Sequence, residues 1–404
     1  MNREVKTKAI AAQLTLTPGL TTFFAIATGV SVANLYYSQP LLHLVARGLG
    51  VPAPAAGWAV TLSQLGYAVG LFVFVPLGDG TDRRKTIVGL LLAVATFLLV
   101  MATAPVLWVF DVGAFLVGVT TVVPQIVVPL AADLATPERR GRAVGTVMSG
   151  LLLGILASRV FGGWMGQWLG WRAVFALAAG FALVLAAGFW RWLPPLAPHQ
   201  RMAYRQLLAS LRELVATLPA LREASVSGAA LFGIFSALWT TLTFHLSGPP
   251  FHFSAGVIGL FGLAGLAGAA MAPLAGHLAD RRPPAQQVWM AYGILAAGVA
   301  LLWAGVDRLG PLVAGIVLVD AGCQFGHVSN QSRVYAQHAQ ARSRLNTVYM
   351  VSYFLGGSVG SSLGLLAFQR GGWPGVIAVQ GGLIALGLAV PRWVGVRARQ
   401  RVSR

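Results

Sequence analysis

The 404-residue chain is short of charge, and shortest of acid: only 10% of its residues are charged, 11 of them acidic against 29 basic. Ordinary soluble domains are about one quarter charged, so a chain of this length with so little charge is excluded from that class. Cysteine is almost absent. Cys323 alone excludes an intrachain disulfide and a multi-cysteine metal site, and its apolar surroundings read as an inert small side chain. No Gly-x-x-x-x-Gly-Lys-Ser/Thr loop occurs, which excludes ATP-driven pumping by this chain alone. His277, His327 and His338 are too scattered to form a metal site. No cofactor is expected, and no clustered nucleophile and base suggests an intramembrane enzyme.

What the chain has instead is apolar length. Apolar residues make up 56% of it, with 49 glycines. Runs bounded by charge, Gly or Pro predict helices near residues 21–44, 56–75, 86–104, 106–130, 143–165 and 173–193. A second set follows near 226–246, 255–274, 288–304, 311–334, 347–368 and 376–394. Twelve spans of about 20 residues leave room for loops, a linker and tails, but not for an added soluble domain. The first run is too long for a signal-peptide core, and Met1 is read as the mature start.

A net charge of +18 raises the question of a nucleic-acid partner. Its distribution answers it. With the N-terminus inside and twelve spans, 24 basic residues fall on the inner side and Arg47, Arg172, Arg308 and Arg370 on the outer, while Arg159 lies within a span. That asymmetry is the positive-inside pattern, with attraction to anionic headgroups as a secondary effect. The expected placement is multi-pass in a bacterial inner membrane, both termini cytoplasmic, the lipid bilayer as the surrounding partner and no nucleic acid bound.

The one long polar stretch, Pro194 to Glu223, carries Leu207, Leu208, Leu211, Leu214, Val215 and Leu218 at helical spacing among arginines. It predicts an amphipathic linker on the membrane surface. The chain divides into 1–193, an N-terminal six-helix bundle; 194–223, the linker; and 224–404, a C-terminal six-helix bundle. The halves repeat. The loop around Gly78, Asp79 and Gly80 returns as Gly276 to Arg282, Arg140-Gly141-Arg142 as Arg342-Ser343-Arg344, and Gly170-Trp171 as Gly372-Trp373. These offsets agree to within a residue, and an even number of spans per half makes the repeats parallel. The fold class is therefore an all-α membrane protein of twelve transmembrane helices in two parallel-repeat six-helix bundles.

The residues that carry this repeat resemble the major facilitator superfamily over essentially the whole chain. Gly276-x-Leu278-Ala279-Asp280-Arg281 is similar to that superfamily's loop motif between the second and third helix of a half. Asp79-Gly80-Thr81-Asp82-Arg83-Arg84-Lys85 is a more divergent copy, with Val75 and Asp82 at usual glycine positions. A short basic loop with an acid at a helix end can latch helices through charge-assisted hydrogen bonds. Asp79, Arg83, Arg142, Asp280 and Arg281 are thus gating candidates, with Arg139 and Arg140 further possible partners. The fifth helix, Gly150-xxx-Gly154-xxx-Ser158-Arg159-xx-Gly162-Gly163, looks like the antiporter motif of drug/proton exporters, with Arg159 in place of the usual Pro. Asn34-Leu35-Tyr36-Tyr37-Ser38-Gln39-Pro40 is similar to a string in a group of bacterial exporters of this class.

Small residues recur at helical spacing as Gly66-xxx-Gly70, as Gly256, Gly259, Gly262, Gly265 and Gly268, and as Gly356-xxx-Gly360-xxx-Gly364. Such stripes let membrane helices approach closely. The resemblance implies that the second, fifth, eighth and eleventh helices make the sliding seam between halves.

Polar groups inside a span must be satisfied or line a watery path. The tenth helix carries Asp320, Gln324, His327 and Gln331 on one face. Asn34 and Tyr37 on the first, Gln125 on the fourth, and Trp239 and Thr243 on the seventh complete a candidate substrate cavity. The resemblance implies that these four helices line the central cavity. Asp320, with His327 as assistant, is the candidate for the coupling proton. Asp111 and Arg159, at matching depth toward the outer face, are the candidate buried ion pair.

These features read as a secondary active transporter that exports a small organic solute by alternating access, in proton-coupled antiport. Facilitated or proton-coupled metabolite uptake is the alternative, and a transport-incompetent receptor is the third. A monomer is expected, with a small organic substrate and protons as partners.

Overall fold

The computed structural model describes residues 16–136, 139–195, 204–266, 268, 270–271, 284–338 and 341–402. Among these residues the chain is helical, with no strand. Nine segments are long and apolar enough to cross a membrane, and Pro18–Ala33 and Ala255–Ala264 are shorter apolar helices. The longest of the nine, Arg344–Ala389, turns at Gly372, whose φ is 58°, and so supplies two spans. Twelve spans result.

In the first half, α1 (Pro18–Ala33) and α2 (Leu42–Leu49) share the first span; α3 (Trp58–Gly80) and α4 (Arg83–Thr103) are the second and third. The fourth is split into α5 (Leu107–Thr120) and α6 (Val123–Leu134), and α7 (Arg140–Leu169) and α8 (Trp171–Trp192) follow. The linker helix is α9 (Tyr204–Thr217). In the second half, α10 (Pro219–Ser247), α11 (Ala255–Leu260), α12 (Pro284–Ala304) and α13 (Leu309–Tyr335) precede α14 (Arg342–Val402), the kinked pair of spans.

Local chemistry sets the ends and the breaks. The Thr17 hydroxyl accepts from the Leu20 N–H at 3.3 Å, with Pro18 in the first turn, a usual start for a helix. The Asp82 carboxylate caps α4 by accepting from the Arg84 N–H at 3.0 Å. The first span breaks over Asn34 to Ser38, directly before Pro40. The fourth breaks after Thr120, four residues before Pro124. A proline lacks the N–H that would bond the carbonyl four residues back, and its ring collides with that carbonyl.

Glycines decide which helices touch. A methyl group on Gly154 would stand 2.2 Å from the Gly29 carbonyl oxygen, joining the first and fifth spans. On Gly360 it would stand 2.2 Å from the Gly233 carbonyl oxygen, joining the seventh and eleventh. The same pairing recurs in each half, as the internal repeat predicts.

The second and eleventh spans meet across the seam, as do the fifth and eighth, as the resemblance implies, but the glycine stripes do not all face it. Gly66 and Gly70 meet the backbone of Phe115 and Val119 in α5, and Gly356 and Gly360 meet α10, so both stripes pack within their own half. Only the eighth span's stripe crosses: Gly259 abuts the Arg159 carbonyl and Gly163, and the Gly256 N–H donates to Gln167 Oε1 at 3.0 Å. Between the second and eleventh spans the seam is polar and aromatic instead. Thr61 and Ser361 hydroxyls bond at 2.7 Å, Ser358 donates to the Thr61 carbonyl at 3.2 Å, and the Tyr67 and Phe354 rings lie 4.3 Å apart. A side-chain ladder needs only shallow grooves, whereas glycine grooves admit whole backbones. The tightest approaches are therefore spent inside each half.

Candidate functional site

Inside the membrane-spanning region the broken first span, the fifth, the seventh and the tenth converge on one buried guanidinium. Arg159 is 1% exposed. Its Nε donates to Gln39 Oε1 at 2.9 Å, and its Cζ lies 3.7 Å from the centre of the Trp239 ring. Tyr36 and Phe235 supply two further aromatic faces at 5.2 and 5.4 Å. The indole N–H of Trp239 donates to Asp320 Oδ1 at 2.9 Å. Desolvated cation–π contacts and charge-assisted hydrogen bonds are how an apolar interior holds a cation. Arg159 nevertheless keeps Nη1 and Nη2 without hydrogen-bond partners, and Gln39 Nε2 is unpartnered too.

The local fold explains why Gln39 can reach. It lies in the 3-10 turn Gln39–Leu41 that follows the break in the first span, so its side chain leaves a bend rather than a helix face. Its own carbonyl accepts from the Thr243 hydroxyl at 2.7 Å. Gln39, Arg159, Trp239, Leu242, Thr243 and Ile258 border a cavity of about 10 Å³, which is about one water in size. Gly265 of the eighth span borders both charges: a methyl group there would stand 3.7 Å from Asp320 Oδ2 and 4.0 Å from Arg159 Nη1.

The remaining candidates are placed as follows. Trp239, Thr243 and Asp320 belong to this enclosure. Tyr37 does not: its ring packs 6.0 Å from Phe161, and its neighbour Tyr36 takes the place beside Arg159, because the helix ends at Ala33 and the register changes. Asn34 is buried at the break with Oδ1 unpartnered. Gln125 donates to the Tyr67 hydroxyl at 3.3 Å. Gln324 is half-buried, beside the Cβ position of Gly268. Gln331 donates to Asn346 Oδ1 at 3.1 Å. His327 bonds the Tyr349 hydroxyl at 3.1 Å and packs on the Tyr353 ring at 4.6 Å. Seven residues from Asp320 is about 10 Å along the axis, so His327 belongs to a separate aromatic group.

The expected Asp111–Arg159 pair does not form. Asp111 is half-buried with Oδ1 unpartnered, while Arg159 is committed to Gln39 and Trp239. Equal depth was the basis of that expectation, but α5 packs on α3 and α4, and the Arg159 side of α7 looks toward the first, seventh and eighth spans. Of the gating candidates, Arg83 pairs with Asp133 at 2.7 Å, and Arg142 is exposed in the first turn of α7. The expected loop partner Arg140 instead donates from Nε to the Ala132 carbonyl at 3.0 Å. Asp280 and Arg281, and the side chain of Asp79, lie outside the described residues.

Sequence reasoning gave no site role to Tyr36 or Gly265, and noted Gln39 only as one of the first helix's polar residues. Pro40 was the available signal for Gln39, since a proline inside a span breaks the helix over the residues before it and redirects their side chains.

The family model of the Major Facilitator Superfamily matches residues 24–361. The chain belongs to that superfamily. It is similar, at 42% identity over 388 residues, to the putative uncharacterized transporter YgaY of Escherichia coli (strain K12), covering 96% of this chain and 98% of YgaY. It is also 41% identical over 364 residues to the probable transporter SCO4007 of Streptomyces coelicolor, covering 90% of this chain and 84% of that one. Among solved structures, a bacterial homolog of the human lysosomal transporter Spinster, inward-facing and occupied, superposes with a TM-score of 0.76. Identity there is 12%, over 94% of this chain and 96% of that one, so this likeness concerns the fold. The superfamily member described here is a multi-pass membrane transporter.

Proposed function

We propose that this transporter moves a small organic solute across the bacterial inner membrane by alternating access, coupled to a proton on Asp320, with both termini cytoplasmic. The observation that carries the reading is the junction of Arg159, Trp239 and Asp320, where a guanidinium and a carboxyl share one indole in a buried enclosure. Secondary transporters bind at the midplane between their repeats, and an ionisable residue there is a functional group by default. The bundles 1–193 and 224–404 are the moving bodies, joined by the linker 194–223. Five side-chain hydrogen bonds join the halves among the described residues, on Gln39, Thr61, Gln64, Gln167, Thr243 and their partners. All lie from the middle of the spans toward the end away from the linker. In this reading that end is closed.

The likeness of Gly150 to Gly163 to the exporters' motif supports outward transport in exchange for protons. A second reading, uptake together with a proton, is favoured by the unpartnered N–H groups of Arg159. The matching loops of Asp79 and Asp280 act on the gating equilibrium in either case: neutralising one slows transport and leaves substrate affinity within a few-fold. The deciding experiment is Asp320→Asn in proteoliposomes. Proton-driven accumulation is lost while substrate counterflow is retained; unchanged proton-driven transport overturns the reading.

A further inference from the structure

Arg159 has an unusual set of commitments for a buried cation. It has Nε on a neutral amide and its face on an indole, while both terminal nitrogens point at no acceptor. A buried charge left unbalanced is costly. Asp320 is the nearby opposite charge, yet it makes no ion pair with Arg159 among the described residues; it borders the same Gly265 position from its own side and spends Oδ1 on Trp239. The structure thus holds a planar fork of donors facing a side-chain-free position, with a carboxyl across from it. A fork of that kind matches a carboxylate or comparable oxyanion in two parallel hydrogen bonds. Around it stand Tyr36, Phe235, Trp239 and Ile258, the side chains an apolar or aromatic body meets when the water-sized enclosure opens to one side.

Charge balance fixes what accompanies the ligand. The charged and titratable groups facing Asp320 are Arg159 from α7, Tyr36 from the first span and Cys323 one turn along α13. Tyr36 and Cys323 are neutral in their ordinary protonated forms, so Arg159 and Asp320 set the net charge. Empty, Arg159⁺ and Asp320⁻ sum to zero. With an anion on Arg159 the sum returns to zero only when Asp320 carries a proton. An organic cation would leave one positive charge uncompensated with Asp320 ionised and two with it protonated. We propose that Arg159 is the receptor for an organic monoanion, a carboxylate on an apolar body, and that the anion binds together with a proton on Asp320. The coupling is then in the same direction, as in the second of the two readings above. The inference rests on the assignment of this enclosure as the transport site.

The test is equilibrium binding to the purified full chain in detergent, with no gradient present. Formate, benzoate and 3-phenylpropionate are the probes, and benzamide is the neutral match to benzoate. Binding is read by thermal stabilisation and by titration calorimetry. Benzoate and 3-phenylpropionate bind more tightly than formate, benzamide does not bind, and affinity falls about tenfold per pH unit on the alkaline side of the Asp320 titration. Asp320→Asn binds benzoate with no such pH dependence. Arg159→Gln/Asp320→Asn, which removes both charges so that neither is left buried alone, loses binding. Gly265→Val keeps both charges and weakens binding by at least tenfold. The proposal is overturned if no carboxylate in the series binds, if benzamide matches benzoate, if binding tightens as pH rises, or if the doubly neutral variant retains wild-type affinity. Because this measurement needs no transport, its failure is distinct from normal proton-driven transport by Asp320→Asn, which alone overturns the functional reading.

Discussion

The guanidinium carbon of Arg159 stands 3.7 Å from the centre of the Trp239 ring. The same indole gives its only N–H to Asp320 at 2.9 Å. One side chain thus supports a cation through its face and an anion through its edge, across three spans.

Substitution of Trp239 separates the two supports. Trp239→Phe keeps a face for Arg159 and removes the donor to Asp320, a loss of about 1.5–3 kcal/mol for a hydrogen bond to a charged group. Trp239→Leu removes the face as well, adding about 2 kcal/mol for a desolvated cation–π contact. Thermal unfolding in one detergent should therefore rank wild type, Phe, then Leu. Equal melting of Phe and Leu variants would mean that the stacking on Arg159 contributes nothing.

Gly360 tests the backbone approach of the seventh and eleventh spans. A methyl there collides with the Gly233 carbonyl, so Gly360→Ala must push two helices apart, at about 1–3 kcal/mol for overpacking. Gly381, in the twelfth span beyond the turn at Gly372, is exposed with open space around it. Gly381→Ala should be neutral or stabilising by up to about 1 kcal/mol through helix preference. Comparable loss of stability in both variants would show that the contact at Gly360 does not set its cost.

Thr61 and Ser361 offer a covalent test of closure at the end away from the linker, since their hydroxyls bond at 2.7 Å across the seam. Cys323 is the chain's single cysteine, so Cys323→Ser gives a cysteine-free background. In it, Thr61→Cys with Ser361→Cys should form a disulfide on mild oxidation, because the two side chains already meet across the seam. Transport should stop on oxidation and return on reduction. Full transport by the cross-linked protein would rule out opening at this seam.

Two ion pairs among the described residues should differ in weight. Arg333 and Glu223 meet at 2.9 Å with both side chains 15% exposed, whereas the Asp133 side chain paired to Arg83 is 37% exposed. Solvent screens the second pair more. In double-mutant cycles read by thermal unfolding, Arg333–Glu223 should couple by about 1–3 kcal/mol and Arg83–Asp133 by less than about 1 kcal/mol. The reverse order would show that exposure does not set their strength.

Some of this protein was determined by residue order alone. Twelve apolar runs can satisfy their backbone in lipid only as helices, so the spans followed from composition. Basic residues crowded on alternate loops gave an expected orientation, and the repeated loops around Asp79 and Asp280 gave two parallel halves, since helix direction follows from counting spans. Trp239, Thr243 and Asp320 were legible as cavity candidates because a polar group in an apolar span is conspicuous one residue at a time.

Tertiary structure decided the rest, because depth in a membrane is a one-dimensional quantity and contact is not. Asp111 and Arg159 share a depth, yet they stand on helices whose packed faces look different ways. Tyr36 replaced Tyr37 because the first span breaks after Ala33 and resets which side each residue faces. The glycine stripes of the second and eleventh spans face their own halves, a choice set by which backbone is near enough to fill each groove. Gln39, Arg159 and Asp320 come from spans far apart in sequence and meet around a single indole. Their junction depends on the crossing of helices, on which the order of residues along any one helix carries no information.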